Sequence, residues 1–159
     1  REQGHRMPRS GFLKVNEGLC LECRECEVAC SLYHEGECNP SLSRIQVEFD
    51  DFVPQLPVIE VCKQCDWPPC YYACTSLFED PAMYIDPKTG ARVIDEARCE
   101  GCGACARACP LTPAVLVRKE ANGRSVYIKC DLCKDRAEGP VCVEVCPPMA
   151  LVYVPAKDR

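Results

Sequence analysis

Apolar and polar positions alternate along this chain in short stretches that are soon interrupted. Apolar residues recur for four to six positions and then give way to cysteine, glycine or proline. Alternation over such lengths predicts half-buried β-strands and leaves no room for long helices. Four of these stretches each lead into a group of cysteines: Leu13-Lys14-Val15-Asn16-Glu17, Val58-Ile59-Glu60-Val61, Arg92-Val93-Ile94-Asp95-Glu96 and Val126-Tyr127-Ile128-Lys129. Residues 114–117 and 150–154 are candidate strands after the last two groups, and residues 44–49 form another between the first two. Asp86-Pro87-Lys88-Thr89-Gly90 has turn chemistry and precedes the third group's strand. Short helical turns are expected after the third cysteine of each group, as at residues 104–108, and no segment carries a long amphipathic period.

The pattern repeats. Residues 13–17 line up with 92–96 at a constant offset of 79 that also carries Cys20 onto Cys99. The strands before the second and fourth groups are alike in the same way. Duplication of a strand–loop–strand unit is the simplest account. The expected organisation is a polar N-terminal segment over residues 1–11, one cysteine-bearing domain over 12–154, and a tail over 155–159.

Composition changes the picture of the core. Leu, Ile, Val and Phe supply only 35 of 159 residues, whereas cysteine supplies 17 and proline 14. So few core-formers call for staples: disulfides, metals or a partner subunit. The net charge of −5 and the absence of a basic stripe argue against a nucleic-acid partner. No apolar run approaches a direct membrane span, and the polar start lacks the apolar stretch of a secretory signal. A cytoplasmic location, where thiols stay reduced and bind metal, is the expectation.

Sixteen cysteines fall into four groups. Cys20, Cys23, Cys26 and Cys30 are spaced C-x2-C-x2-C-x3-C, and Cys99, Cys102, Cys105 and Cys109 repeat that spacing with Pro110 after it. Cys62, Cys65, Cys70 and Cys74 open the middle gap to four residues. Cys130, Cys133, Cys142 and Cys146 open it to eight, again with a following proline, Pro147. A [4Fe–4S] cube needs one thiolate at each of four iron corners. A loop with two residues between cysteines can wrap three corners, and a more distant cysteine must reach the fourth. In two-cluster ferredoxins the last cysteine of such a run serves the other cluster. Ser31 and Thr75 replace the trailing proline in the first two groups without touching a ligand. A disulfide scaffold does not explain the repeated C-x2-C-x2-C loops, and structural zinc uses pairs of cysteines, not triplets. An altered cluster would need a missing ligand, and no group lacks one.

With these four groups the chain resembles the four-cluster ferredoxin-like subunits of multi-subunit oxidoreductases, from about Phe12 to Val154. The resemblance implies an α+β fold of tandem pseudo-symmetric ferredoxin-like units, of the bacterial 2[4Fe–4S] type, with short strands, short helices and long loops. It implies that the first group interlocks with the fourth and the second with the third. One cluster then takes Cys20, Cys23, Cys26 and Cys146, and a second takes Cys130, Cys133, Cys142 and Cys30. A third takes Cys62, Cys65, Cys70 and Cys109, and a fourth takes Cys99, Cys102, Cys105 and Cys74. It further implies an electron-transfer subunit with no catalytic site of its own. Its partner would be a large catalytic subunit holding a tungsten or molybdenum pterin, and electrons would pass on to a flavin subunit, a soluble ferredoxin or further copies of the chain. The compact length, the Ala29–Pro40 stretch and the Cys62–Cys70 stretch look most like the small subunit of bacterial tungsten aldehyde oxidoreductase, in the aldehyde:ferredoxin oxidoreductase family. The electron-transfer subunits of tungsten-dependent benzoyl-CoA reductase and of dimethyl-sulfoxide-reductase or formate-dehydrogenase-type enzymes are the alternatives. A redox-silent metal scaffold is the alternative of another class.

Single residues add less. Cys38 is a seventeenth cysteine outside every ligand set and is read as structural or incidental. His34 is expected to brace the loop from Tyr33 to Pro40 rather than to meet a cluster. Trp67, beside Pro68 and Pro69, is expected to shield the second group's cluster from water. Neither His5 nor His34 has a nucleophile nearby in the sequence, and no phosphate loop or dinucleotide fingerprint is present. The first and fourth groups are acidic (Glu22, Glu25, Glu27 against Arg24; Asp131, Asp135, Glu138, Glu144 against Lys134, Arg136), whereas the second and third are neutral. Negative charge opposes reduction, so lower potentials are expected for the first-and-fourth pair.

Overall fold

The computed structural model describes residues 7–49, 52 and 57–159. His5 lies outside these residues. Eight short strands pair into four two-stranded antiparallel sheets among the described residues. Strand β1 (Phe12–Val15) pairs with β8 (Leu151–Val154), so opposite ends of the domain meet, with Leu13 opposite Tyr153. Strand β2 (Ile45–Phe49) pairs with β3 (Pro57–Val61), and β4 (Met83–Ile85) pairs with β5 (Arg92–Ile94). Strand β6 (Val117–Ala121) pairs with β7 (Arg124–Ile128).

Alternation gives each sheet one buried face. Ile45, Val47, Ile59 and Val61 point inward from β2 and β3 and pack with Leu13, Val93 and Leu151. That cluster also contains Cys26, Cys30 and Cys142, and a smaller one joins Cys70 and Cys105 to Met83 and Leu116. The cysteine loops are thus built into the interior.

Four helices follow the loops: α1 (Glu25–Glu35), α2 (Pro69–Leu77), α3 (Ala104–Ala108) and α4 (Val141–Glu144). Each begins one residue before its group's third cysteine, not after it. In α2 this start coincides with Pro69, whose missing N–H costs nothing in the first turn. The first helix is longer than the expected single turn. It runs through His34 and ends at Gly36, whose positive φ of 75° lets its N–H return to the Leu32 carbonyl. Helix α1 packs on α4, and α2 packs on α3.

The strand expected at residues 114–117 is displaced to Val117–Ala121. Asn122 and Gly123 both have positive φ and make the tight turn that fixes the β6–β7 register. Val115 and Leu116 are buried beside the second cysteine group instead. The Asp86 turn joins β4 to β5 as expected: Asp86 Oδ2 accepts hydrogen bonds from the Thr89 amide and hydroxyl, each at 2.7 Å. Ser10 and Arg159 tie the first and last parts of the described chain together. Ser10 is fully buried, and the Arg159 guanidinium donates to the Ser10 and Gln64 carbonyls.

Candidate iron–sulfur centres

Each cysteine loop bends the same way at its second spacer residue. Glu22, Gln64, Gly101 and Leu132 all have positive φ, in the region that side chains other than glycine enter only when held there. This bend turns backbone N–H groups toward sulfur. The amides of Glu22 and Gln64 each lie 3.5 Å from the sulfur of their group's first cysteine, Cys20 and Cys62. At Gly101 the close approach is absolute: a Cβ there would fall 2.2 Å from the Ser125 carbonyl oxygen.

The third and fourth cysteines of every group are four residues apart; in α1 and α2 both lie on one helix face, about one turn apart, whereas Cys109 and Cys146 lie just past the ends of α3 and α4. With α1 against α4 and α2 against α3, those faces carry thiols between paired loops. One recess is lined by Cys20, Cys23, Cys26 and Cys146. Another is lined by Cys62, Cys65, Cys70 and Cys109. A third is lined by Cys74, Cys99, Cys102 and Cys105. Cys30, on α1, sits close enough to Cys133 and Cys142 for its charge to add to the burial that raises their pKa. Cys38 is exposed and apart from all four gatherings.

Burial raises the third thiol of each group, to about 12 at Cys26 and Cys105 and about 11 at Cys70, and well above the usual range at Cys142. Thiols in such surroundings become good ligands only when a metal replaces the proton. The donor set is therefore all sulfur, four to a gathering, with amide N–H groups directed at sulfur. That chemistry fits iron–sulfur clusters.

Two single-residue expectations are corrected. His34 does not brace the loop after α1. Its Nε2 lies 3.7 Å from Cys133 Sγ and 3.4 Å from Asp131 Oδ1, because α1 continues far enough to bring it over the fourth group. Burial, together with the charge of Arg44, pulls the His34 pKa down to about 4 despite the opposing carboxylates, so the imidazole is neutral near pH 7. Trp67 does not shield the second group's recess. Its side chain is 69% exposed, facing a groove shared with Met7 and Arg9, while Pro68 and Pro69 line the recess.

Three buried polar groups have structural roles that the sequence did not indicate, Glu27 having counted there only as an acidic charge. Gln64 joins three segments: its amide nitrogen donates to the Cys130 carbonyl at 2.8 Å, and its oxygen accepts from the Arg92 amide at 3.0 Å. Glu27 accepts from the Val47 amide at 2.7 Å and so fastens α1 to β2. Arg44 lies within 3.3–3.6 Å of carboxylates from Glu35, Glu96 and Asp131. Only their position inside or just after a cysteine group hinted at any of this.

Four-thiol gatherings inside small antiparallel sheets define an iron–sulfur protein of the ferredoxin type. Residues 53–155 match the 4Fe-4S dicluster domain family, and the chain belongs to that family. A polyferredoxin-like subunit of aliphatic sulfonate oxidoreductase from Pyrococcus furiosus is 46% identical over 135 residues, covering 85% of this chain and 70% of that one. Electron transport protein HydN of Escherichia coli is 32% identical over 162 residues, covering 90% and 87%. The putative electron transport protein YsaA of Escherichia coli is 35% identical, covering 88% and 87%. In fold, the chain resembles the active-site complex BamBC of benzoyl coenzyme A reductase with 1,5-dienoyl-CoA, with a TM-score of 0.50 and 24% identity over 91% of this chain and 75% of that one. The chain is an iron–sulfur electron-transfer protein. Among the described residues no helix is long and apolar enough to cross a membrane.

Proposed function

We propose that the chain is the electron-relay subunit of an oxidoreductase complex and holds four [4Fe–4S] clusters in two interlocked, pseudo-symmetric pairs. The observation that supports this reading is that three recesses are each lined by three cysteines of one group and one of a distant group, while Cys142 lies near Cys130, Cys133 and Cys30. The sets are Cys20, Cys23, Cys26 and Cys146; Cys130, Cys133, Cys142 and Cys30; Cys62, Cys65, Cys70 and Cys109; and Cys99, Cys102, Cys105 and Cys74.

The clusters supply one-electron redox chemistry, and the chain's own residues set its order and direction. Cys62 and Cys130 are near enough for their thiols to interact, and Gln64 bonds the two loops together. The second and third sets therefore meet at the middle of the molecule. Cys23 and Cys102 are exposed at the outer sets, so electrons enter and leave there. The partner at one end is a large catalytic subunit with a tungsten or molybdenum pterin, of the aldehyde oxidoreductase type. At the other end the acceptor is a soluble ferredoxin, a flavin subunit or another copy. A second reading gives the catalytic partner an aliphatic sulfonate as substrate, and the 46%-identical relative favours it.

Anaerobic purification of the chain tests the relay. About sixteen iron per chain, four for each ligand set, with absorbance bleached by dithionite, is expected. A colourless zinc protein, or one holding only about half that iron, would overturn it. Co-purification from the native source followed by metal analysis tests the partner: a large subunit without tungsten or molybdenum would exclude the pterin assignment.

A further inference from the structure

We propose that Lys129 and Arg92 are a buried cationic pair that makes the cluster held by Cys62, Cys65, Cys70 and Cys109 the most easily reduced of the four. The inference rests on the four-cluster reading and adds to it an internal order of potentials.

Lys129 is 2% exposed and Arg92 is 1% exposed, and both line the recess of those four cysteines. The Lys129 ammonium donates to the backbone carbonyl of Arg92 and, at 2.9 Å, to that of Cys130. The Arg92 guanidinium donates to the carbonyls of Gly90, Pro8 and Asp66, while its Nε is buried with no hydrogen-bond partner among the described residues. Among those residues no carboxylate forms an ion pair with either cation. The nearby Asp66 carboxylate is engaged by Arg159 at 3.5 Å.

Two buried cations that line one recess with no ion-paired carboxylate carry a large desolvation cost, which the Asp66 carboxylate near Arg92 offsets only in part. A [4Fe–4S] core with four thiolates is an anion, and reduction makes it one charge more negative. Its placement in this recess supplies the missing countercharge. The recess differs from its neighbours in this respect. Arg24, at the first, is paired with Glu27; Arg98, at the fourth, with Asp80 and Asp95; and Arg44, near Cys30, with three carboxylates. Arg107, also beside the fourth, donates to the Cys102 carbonyl from an exposed position where solvent screens its charge. Those cations are neutralised or screened; those of Lys129 and Arg92 are left to the cluster.

Reduction here takes one electron from a neighbouring cluster, which is oxidised by one, and the fixed cations favour the added charge. Because the second and third sets meet at Cys130 and Cys62, Lys129 also acts, more weakly, on the cluster of Cys130. The middle of the relay then holds an electron in preference to its ends. Burial shields the effect from salt.

The test is a potentiometric EPR titration of the fully loaded chain carrying Lys129→Gln. We expect the reduction equilibrium of the most easily reduced cluster to become about tenfold less favourable, a fall of about 59 mV for one electron. The clusters of the Cys20 and Cys99 sets should hardly move, and Lys129→Arg should restore the wild-type value. Four intact clusters with unchanged potentials, or a shift confined to the outer sets, would overturn the proposal while leaving the four-cluster reading intact. Iron well below sixteen in the wild-type chain would overturn that reading itself. Should Lys129→Gln fail to accumulate, Cys65→Ser in the wild-type background decides the matter. It should alter the highest-potential signal, and an unaltered one would place that potential elsewhere.

Discussion

At the scale of single residues, the structure depends on polar groups that bond inside the cysteine loops. Gln64 shows this most directly. It is 1% exposed, sits at a positive φ and satisfies both a β5 amide and the Cys130 carbonyl. Gln64→Met keeps the volume but leaves the Arg92 amide unpaired in a dry interior, while the Cys130 carbonyl keeps its bond from the Lys129 ammonium. A loss of roughly 1–3 kcal/mol is expected, read as a lower apparent melting temperature by cluster bleaching, in anaerobic scans at one heating rate. A melting temperature equal to wild type would mean that water reaches that amide. The sixteen candidate ligands were legible in the sequence because metal spacing is local and repetitive. Gln64, His34 and Lys129 were not, because their partners are 66, 99 and 37 residues away, on strands and loops whose placement no spacing encodes.

At the scale of elements, period-two alternation marked most strands well, and turn chemistry decided the rest. The Asp86 turn was visible as a sequence of turn-formers. The Asn122–Gly123 turn was equally plain and, weighed against residues 114–117, would have placed β6 correctly. Its neighbours Arg118, Lys119 and Glu120 gave no apolar signal, since the buried face of the hairpin comes from Val126 and Ile128 of β7, and Lys119, opposite Val126, is held by Glu35 and Glu96. The Asp86 turn offers a quantitative check. Burial alone would raise the Asp86 carboxyl, but the Thr89 hydroxyl and amide overcome that and hold it below the ordinary value. A depressed carboxylate contributes stability that is complete above its unfolded pKa of about 3.9. That contribution is lost only as pH falls through the lower folded value. Asp86→Asn should therefore cost about 1–2 kcal/mol, with the same gap in apparent melting temperature at pH 6 and pH 8. A gap that changed between those two values would assign the effect to a different group.

At the scale of the whole molecule, the sheets are too small to hold the chain together by themselves. Each has two strands of three to five residues, and isolated two-stranded sheets are marginal in water. Sequence-distant segments meet at the helix pairs and at the thiol gatherings: Cys146 lies with Cys20, Cys23 and Cys26, and Cys109 with Cys62, Cys65 and Cys70. Metal binding and folding are then one process, since ligands gathered from distant segments exist as a site only in the folded chain. This makes two ligands of one cluster unequal. Cys23 is an exposed member of the local loop, whereas Cys146 comes from beyond α4 and adjoins β8. Replacing Cys23 with Ala removes a ligand but leaves the chain crossing in place. Replacing Cys146 with Ala removes a ligand and the crossing together. Hydrogen exchange on anaerobic, reconstituted protein should show faster exchange limited to residues near Cys20–Cys26 for Cys23→Ala. For Cys146→Ala it should spread through α4, β8 and the paired β1. Equal and local effects of both substitutions would mean that the β1–β8 pairing, not the cluster, joins the two ends of the domain.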